Sequence, residues 1–305
     1  MSIAFIFAGQ GAQKVGMGYD LYQHDQNSKK IFDAYPKYRD LSFIGPAEEL
    51  NQTRNTQSTI LLESYVIAKF LKDNGINPEY VAGLSLGEYS ALAFANCFNL
   101  DDAIEITAKR GEIMQNALPL GTTSMAAIIA LDEETIKDTI KNINGVCEIA
   151  NYNCPGQIVI TGENAAIDEA IELLKAKGAR RAIKLNVSGA FHSSLLEDAS
   201  NKLRSELDKY ELNKPTYKVV YNTYGTESTD NTKDILQKQI KSSVRFQQSL
   251  EYMIENGVDT FIEIGPGQAL SGFVKKTNPN VRVYNTDTLE SILNICEVLK
   301  WRLQL

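Results

Sequence analysis

The sequence predicts an α/β fold in which a large α/β-hydrolase-like domain carries an inserted ferredoxin-like small domain. Three observations lead to this prediction. Strand-like and helical segments alternate from the N-terminus, a Gly-x-Ser-x-Gly motif follows an apolar segment, and a βαββαβ order occupies the middle of the chain. Alternating strands and helices are typical of a sheet covered by helices. With 305 residues, 43% of them hydrophobic, the chain is long enough to bury one large core or two.

The first part of the large domain is predicted from apolar runs and helical spacing. Residues 3–8 are apolar, follow no basic segment and run directly into a glycine-rich turn, so we expect a buried first strand and no signal peptide. Residues 80–82 form a second apolar run. Apolar residues at helical spacing predict helices over residues 28–35, 56–74 and 101–117.

The pattern changes to short strands and two helices in the middle of the chain. Strands are predicted over residues 125–129, 147–152, 157–161 and 181–185, and helices over residues 133–143 and 165–177. This βαββαβ order is the ferredoxin-like arrangement. We therefore assign residues 122–188 to the small domain and residues 1–121 and 189–305 to the large one.

The large domain continues after the insert. Further strands are predicted over residues 218–222 and 260–264. The second of them ends in a Gly-Pro-Gly-Gln segment at residues 265–268, which we interpret as a turn from strand to helix.

Residues 83–87, Gly-Leu-Ser-Leu-Gly, lie between the second apolar run and a helix-like segment at residues 89–93. Two glycines beside a serine allow a strand-to-helix turn so tight that the Ser85 hydroxyl is exposed, where the next backbone N–H can stabilise an oxyanion. This geometry is typical of enzymes that transfer acyl groups. A plain strand-to-helix turn is the alternative interpretation of so short a motif.

A serine nucleophile needs a base, and the chain contains only two histidines. His24 lies in a polar stretch typical of an exposed helix end, whereas His192 lies among small residues and follows Phe191. A lone histidine is more often an ordinary residue than a catalyst. The serine motif nevertheless favours His192 as general base and then general acid.

Arg110 lies in the middle of the predicted helix over residues 101–117, among apolar neighbours. Its guanidinium could bind a substrate carboxylate with two parallel hydrogen bonds. Spacing alone favours the other interpretation, a side chain that is solvated on the helix surface.

Composition and charge exclude several classes of function. The four cysteines are scattered and neither histidine joins them at metal-ligand spacing, so no metal site is predicted. The formal charge of −7 argues against a nucleic-acid partner. No apolar run reaches the ~18 residues of a membrane span, so we expect no membrane partner and a cytoplasmic protein. Two basic clusters are candidates for an acidic partner or for solvated helix faces: Lys175, Lys177, Arg180, Arg181 and Lys184, and Lys275 with Lys276.

Six short segments resemble, in the same order along the chain, the malonyl-CoA:acyl carrier protein transacylases of fatty acid synthesis. They are residues 9–13, 83–92, 110–115, 151–157, 191–193 and 263–267. Six matches in order over nearly the whole chain are far more specific than any one of them.

The resemblance implies a role for each matching residue. Ser85 would attack the thioester of malonyl-CoA, His192 would take its proton, and the malonyl group would then pass to the phosphopantetheine thiol of an acyl carrier protein. The backbone N–H groups of Gln10 and Leu86 would form the oxyanion hole, and Arg110 would bind the malonyl carboxylate. Malonyl-CoA and the carrier are then substrates, and no bound cofactor is expected.

The resemblance also implies the surroundings of these groups. Substrate-binding positions are expected at Met114, Phe191, Gln57 and Asn153, and Phe191 is typical of malonyl-selective members. The backbone carbonyl of Arg245 is expected to orient His192 in place of an acid.

Three departures from the family pattern affect substrate preference and rate rather than reaction type: Leu84 stands where many relatives have histidine, and Ala8 and Ser58 where they have proline. A related acyl-thioester hydrolase, an acyltransferase that acts on a polyketide carrier, and a non-catalytic carrier-binding module remain alternatives. Arg110 argues against a site for neutral acyl groups, because a buried cation without its carboxylate is destabilising.

Overall fold

The computed structural model describes residues 1–185 and 189–303, which form two five-stranded sheets and the helices that cover them. The strands are β1 (Ile3–Phe7), β2 (Tyr80–Gly83), β3 (Thr123–Ile129), β4 (Cys147–Cys154), β5 (Gln157–Glu163), β6 (Arg181–Lys184), β7 (Lys218–Val220), β8 (Val244–Arg245), β9 (Thr260–Ile264) and β10 (Arg282–Asn285).

The helices surround the two sheets, and one short 3₁₀ turn lies at Ser194–Leu196. They are α1 (Tyr19–His24), α2 (Gln26–Ala34), α3 (Pro36–Phe43), α4 (Ala47–Leu50), α5 (Thr53–Asp73), α6 (Leu86–Phe94), α7 (Leu100–Gln115), α8 (Glu133–Ile140), α9 (Asn164–Ala176), α10 (Glu197–Leu207), α11 (Thr232–Gln239), α12 (Phe246–Glu255), α13 (Ala269–Thr277) and α14 (Leu289–Leu303). No helix of the described residues is both long and apolar enough to cross a membrane.

The larger sheet is parallel, with the strand order β10-β9-β1-β2-β7. Its central strand β1 is buried throughout, because Phe5 and Phe7 pack into the core on one face and Ala4 and Ile6 into the core on the other. Continuous apolar runs are typical of parallel strands covered on both faces. The predicted strand-to-helix turn at residues 265–268 is confirmed, since it joins β9 to α13.

The register of this sheet brings three strand ends together. Phe7 at the end of β1 is paired with Gly83 at the end of β2, and Val220 at the end of β7 is paired with Ala82. Residues that follow these ends therefore lie at the same edge of the sheet. In open parallel sheets ligands bind at this carboxyl edge.

The smaller sheet has the strand order β6-β3-β5-β4-β8. Its first four strands with α8 and α9 follow the predicted βαββαβ order, so the predicted fold class is confirmed. Strand β8 was not predicted and runs parallel to β4 at the edge of this sheet, with Val244 opposite Asn151. The domain boundaries remain a prediction, and the proposed end of the insert at residue 188 lies outside the described residues.

Some predicted bounds differ from the structure. Helix α5 begins at Thr53, three residues before its predicted start, because its first turn is polar and shows no apolar spacing. Helix α8 ends at Ile140 instead of residue 143, where an Asn- and Gly-rich segment follows. Strands β4 and β5 extend to Cys154 and Glu163, farther than predicted.

Candidate active site

Ser85 occupies a strained turn between β2 and α6. Its φ of 52° and ψ of −100° are rare for a residue with a side chain, and such a backbone costs about 1–3 kcal/mol. The flanking glycines make the turn possible: a Cβ on Gly83 would lie 2.0 Å from the carbonyl carbon of Gly87, and a Cβ on Gly87 would lie 2.1 Å from the Phe7 carbonyl oxygen. The turn has the geometry of a nucleophile elbow.

His192 lies directly at the Ser85 hydroxyl. The distance from Ser85 Oγ to His192 Nε2 is 2.7 Å, and the imidazole is almost completely buried. The second histidine, His24, packs edge-on against Phe70 and does not line the site. The structure therefore brings the predicted serine and histidine within hydrogen-bond distance, as a nucleophile and its base require.

A backbone carbonyl orients His192, but it is not the predicted one. His192 Nδ1 lies 2.9 Å from the carbonyl oxygen of Gln239 at the end of α11. Nδ1 therefore carries the proton that it donates to this carbonyl, which leaves Nε2 free to accept the proton of Ser85. The prediction of Arg245 was wrong, because the Arg245 carbonyl accepts a hydrogen bond from the Ser249 hydroxyl in the first turn of α12.

Arg110 is fully buried, so the solvated interpretation of this residue was wrong. Its Nη1 donates to Gln57 Oε1 at 2.8 Å, and its Nη2 donates to Gln239 Oε1 at 3.0 Å and to Ser85 Oγ at 3.2 Å. The guanidinium also lies 4.9 Å from the ring centroid of Tyr89. Amides and an aromatic face hold the cation in place without neutralising it.

No carboxylate of the described residues forms an ion pair with Arg110. The nearby Glu88 is also fully buried, and burial raises its pKa to about 8, so that it is mostly uncharged at neutral pH. Burial lowers the pKa of Arg110. Among the described residues, the site therefore contains a desolvated cation without an anionic partner.

Burial and this cation together set the basicity of His192. Burial, followed by repulsion from Arg110, lowers the pKa of His192 to about 4. The imidazole is therefore neutral at physiological pH, which is the state that accepts a proton from a serine.

The two predicted oxyanion donors belong to residues near Ser85: Leu86 follows it in the chain, and Gln10 lines the same cavity. Leu86 is the first residue of α6, where the backbone N–H has no partner within the helix and the helix dipole favours negative charge. Gln10 lies in the loop after β1, which reaches the same edge of the sheet. Among the described residues neither N–H donates a hydrogen bond, so both are available to an oxyanion.

A cavity of about 670 Å³ opens onto Ser85 and His192. The substrate-binding residues expected from the resemblance all line it: Gln57, Arg110, Met114, Asn153 and Phe191. Gln57 also donates from Nε2 to the sulfur of Met114 at 3.4 Å, and the Oδ1 of Asn153 is buried without a hydrogen-bond partner in the described part of the chain. Arg245 does not line this cavity; it lines a neighbouring groove that shares His192 with it.

The basic clusters lie elsewhere on the surface. None of their lysines and arginines lines the cavity. Lys175 and Lys184 form ion pairs with Glu172 and Asp168. No group of His, Cys, Asp and Glu side chains in the described ranges is arranged to hold a metal ion.

Two functional residues escaped the sequence analysis, Gln239 and Asn222. Gln239 acts through its carbonyl and its side-chain amide, and no motif pointed to it. Asn222 lies shortly after β7, and its side-chain oxygen accepts a hydrogen bond from the Ser85 N–H. A polar residue at the carboxyl end of a strand next to the serine turn was the available signal.

The fold and the Ser–His pair define an acyl-transferring enzyme. A family model of the acyl transferase domain matches residues 4–290, and the chain belongs to this family.

The relatives agree with this assignment. The chain is 42% identical, over 98% of its length and 97% of the relative's, to the malonyl CoA-acyl carrier protein transacylase of Bacillus subtilis (strain 168). The crystal structure of malonyl CoA-acyl carrier protein transacylase from Clostridium perfringens superposes with a TM-score of 0.96 at 41% identity, covering 99% of this chain and 98% of that one. A type II PKS acyl-carrier protein in complex with its malonyl-transacylase contains a chain that matches with a TM-score of 0.94 at 34% identity, covering 98% of this chain and 100% of that one.

Proposed function

We propose that this protein transfers malonyl groups from CoA to the phosphopantetheine thiol of an acyl carrier protein. The observation that carries the proposal is the buried, unneutralised guanidinium of Arg110 beside a Ser–His pair. A buried cation is stabilised when an anion joins it in the same dry site. Malonyl-CoA supplies a carboxylate and a thioester two bonds apart, which suits a cation and a nucleophile that lie in contact.

The first half-reaction forms a malonyl-enzyme. Neutral His192 takes the proton of Ser85 through Nε2 while Oγ attacks the thioester carbonyl of malonyl-CoA. The carbonyl oxygen becomes an oxyanion that the N–H groups of Gln10 and Leu86 stabilise. The C–S bond then breaks, and CoA leaves as the thiol with the proton returned by His192.

The second half-reaction runs the same steps in reverse with a different thiol. His192 takes the proton of the phosphopantetheine thiol of the carrier, and the sulfur attacks the malonyl ester of Ser85. Collapse of the oxyanion breaks the C–O bond, and His192 returns the proton to Ser85 Oγ. In both half-reactions the Gln239 carbonyl stabilises the imidazolium that forms, which is the role an aspartate has in a triad.

The relatives named as malonyl CoA-acyl carrier protein transacylases support this substrate pair. The carrier of fatty acid synthesis is the first acceptor to test, and a polyketide carrier is the second, because one relative is bound to such a carrier. The family resemblance supports a cytoplasmic enzyme of fatty acid synthesis.

The decisive experiment separates acylation from transfer. Malonyl-CoA without a carrier should add one malonyl group to Ser85, detected by peptide mass spectrometry, and the Ser85→Ala variant should take up none. Adding either holo-carrier should discharge the label as malonyl-carrier, with free malonate measured in parallel. A label on a cysteine, or release mainly as malonate, would contradict the proposal and favour another nucleophile or a hydrolase.

A further inference from the structure

The side chain of Asn222 bridges the two sides of the strained serine turn. Its Oδ1 accepts the N–H of Ser85 at 2.7 Å, and its Nδ2 donates to the carbonyl of Gly83 at 2.6 Å. Asn222 is fully buried and does not line the cavity. One primary amide therefore satisfies a donor and an acceptor that lie on either side of Leu84.

The serine turn needs this bridge because its backbone groups lie beyond the last hydrogen-bonded residues of the sheet. The register pairs β2 with β7 only as far as Ala82 and Val220, and on the other side β1 offers one further hydrogen bond, from Leu84 N–H to the Phe7 carbonyl. Backbone groups that lose their ladder partners inside a protein must find others. Of the side chains of this size, only asparagine presents a donor and an acceptor in one rigid plane without first taking up a proton.

The backbone of Asn222 is itself held from two directions. Its N–H donates to Glu88 Oε2 at 2.5 Å, and its carbonyl accepts the N–H of Arg245 at 2.9 Å. Glu88 lies in the first turn of α6, the helix whose first N–H belongs to Leu86. Asn222 is thus tied to the strand before Ser85, to Ser85 itself and to the helix after it.

We propose that Asn222 is a positioning residue: its amide holds the Ser85 backbone at positive φ, which directs Oγ toward His192 and places the Leu86 N–H beside it. The proposal rests on the proposed function of Ser85 as the nucleophile. Because Asn222 contacts the turn and not the cavity, it acts on the rate of acylation and leaves binding of malonyl-CoA unchanged.

The test is Asn222→Asp, assayed at two pH values. An ionised carboxyl would face the Gly83 carbonyl with two acceptors, whereas a protonated one has the same shape and the same donor and acceptor as the amide. The groups that surround the introduced carboxyl are Glu88 from α6, Tyr221 on its own segment and, beyond Ser85, Arg110 and His192. Burial raises the pKa of such a carboxyl, so it should be protonated at about pH 6 and ionised toward about pH 8.5.

The expected readout is a deficit in acylation that disappears on acidification. Relative to wild type at the same pH, the single-turnover rate of Ser85 malonylation should fall at least ~30-fold at about pH 8.5 and recover to within ~3-fold at about pH 6. The malonyl-CoA concentration that gives half of the maximal single-turnover rate, which reports binding, should stay within ~2-fold. Asn222→Leu, which cannot regain the donor, should be slow at both pH values. Circular dichroism at each pH reports whether the variants are folded.

Asn74→Asp is the matched control. The Nδ2 of Asn74 also donates to a backbone carbonyl, that of Phe70, but at the far end of α5, about 30 Å along the helix from the cavity. Its activity should match wild type at both pH values. Two results would overturn the inference: a folded Asn222→Asp variant that is as slow at about pH 6 as at about pH 8.5, or an Asn222→Asp variant with full activity at about pH 8.5. If the wild type itself forms no malonyl-serine, the proposed function fails instead.

Discussion

Replacing Arg110 by methionine should remove the preference for acyl groups that end in a carboxylate. Methionine keeps an unbranched apolar stem over Tyr89 and removes the charge and all five N–H donors. The guanidinium is fully buried and has no carboxylate partner in the described residues, so a bound malonyl group would form a desolvated ion pair with it.

The magnitude follows from this burial. Removing one partner of a buried ion pair costs about 3–5 kcal/mol. At about 1.4 kcal/mol for each factor of ten, kcat/KM for malonyl transfer should fall by about 150-fold to several thousand-fold. Acetyl transfer involves no carboxylate and should fall less than about 10-fold, a loss that reflects the amides of Gln57 and Gln239 left without their donor.

The assay compares malonyl-CoA and acetyl-CoA as donors to the same carrier protein, for wild type, Arg110→Met and Arg110→Lys. Lysine restores the charge without the planar fork and should recover part of the malonyl activity. Equal losses for malonyl and acetyl transfer would refute the reasoning. They would show that Arg110 serves to hold Ser85 and Gln239 in place.

Three further predictions concern the carbonyl that orients His192, the pKa of His192 and the pKa of Glu63. Arg245→Ala should keep activity within about 3-fold of wild type, because the Gln239 carbonyl orients His192; a loss like that of His192→Ala in the transfer assay would contradict this. The kcat/KM for malonyl transfer should stay level from neutral pH downward and fall only near the His192 pKa of about 4, because His192 must be neutral; a midpoint near 6.5 would contradict the effect of burial. Burial raises the pKa of Glu63 from its ordinary value of 4.5 to about 8, so its contribution to stability is complete below 4.5 and is lost as pH rises to about 8. Glu63→Gln should therefore raise Tm relative to wild type above neutral pH, with a smaller difference at pH 4.5, in a thermal melt at each pH.

Sequence patterns predict those strands and helices whose buried positions are occupied by a continuous or periodic series of apolar residues. Strand β1 is apolar throughout and buried on both faces, which leaves little alternative to a central strand. The two-residue strand β8 has no periodicity, and its assignment depends entirely on its neighbour β4. Helix α5 was predicted from its apolar spacing, and the polar turn at its start was missed for the same reason.

The candidate site divides in the same way. Ser85 and His192 were predicted because glycine spacing and the scarcity of histidine are visible in the sequence. Gln239 acts on His192 through a main-chain carbonyl that every residue possesses, so no residue type identifies it. The spacing of apolar residues along a helix could not predict the burial of Arg110. That spacing favoured a side chain in solvent, but α7 packs so that Arg110 lies beside Gln57 of α5, which accepts its hydrogen bond inside the protein.

Because β8 pairs with β4, the short segment that contains β8 connects the catalytic histidine with the smaller sheet. Residues 239–245 begin with the carbonyl that orients His192 and end in the strand that completes the smaller sheet, where the Ser243 hydroxyl also donates to the Ile149 carbonyl. The same β4 carries Asn151 and Asn153 on the wall of the cavity. A rotation of the smaller sheet would therefore displace both the carbonyl that orients His192 and the cavity wall formed by β4. The cavity volume available to the acyl group and the orientation of the general base are for this reason coupled.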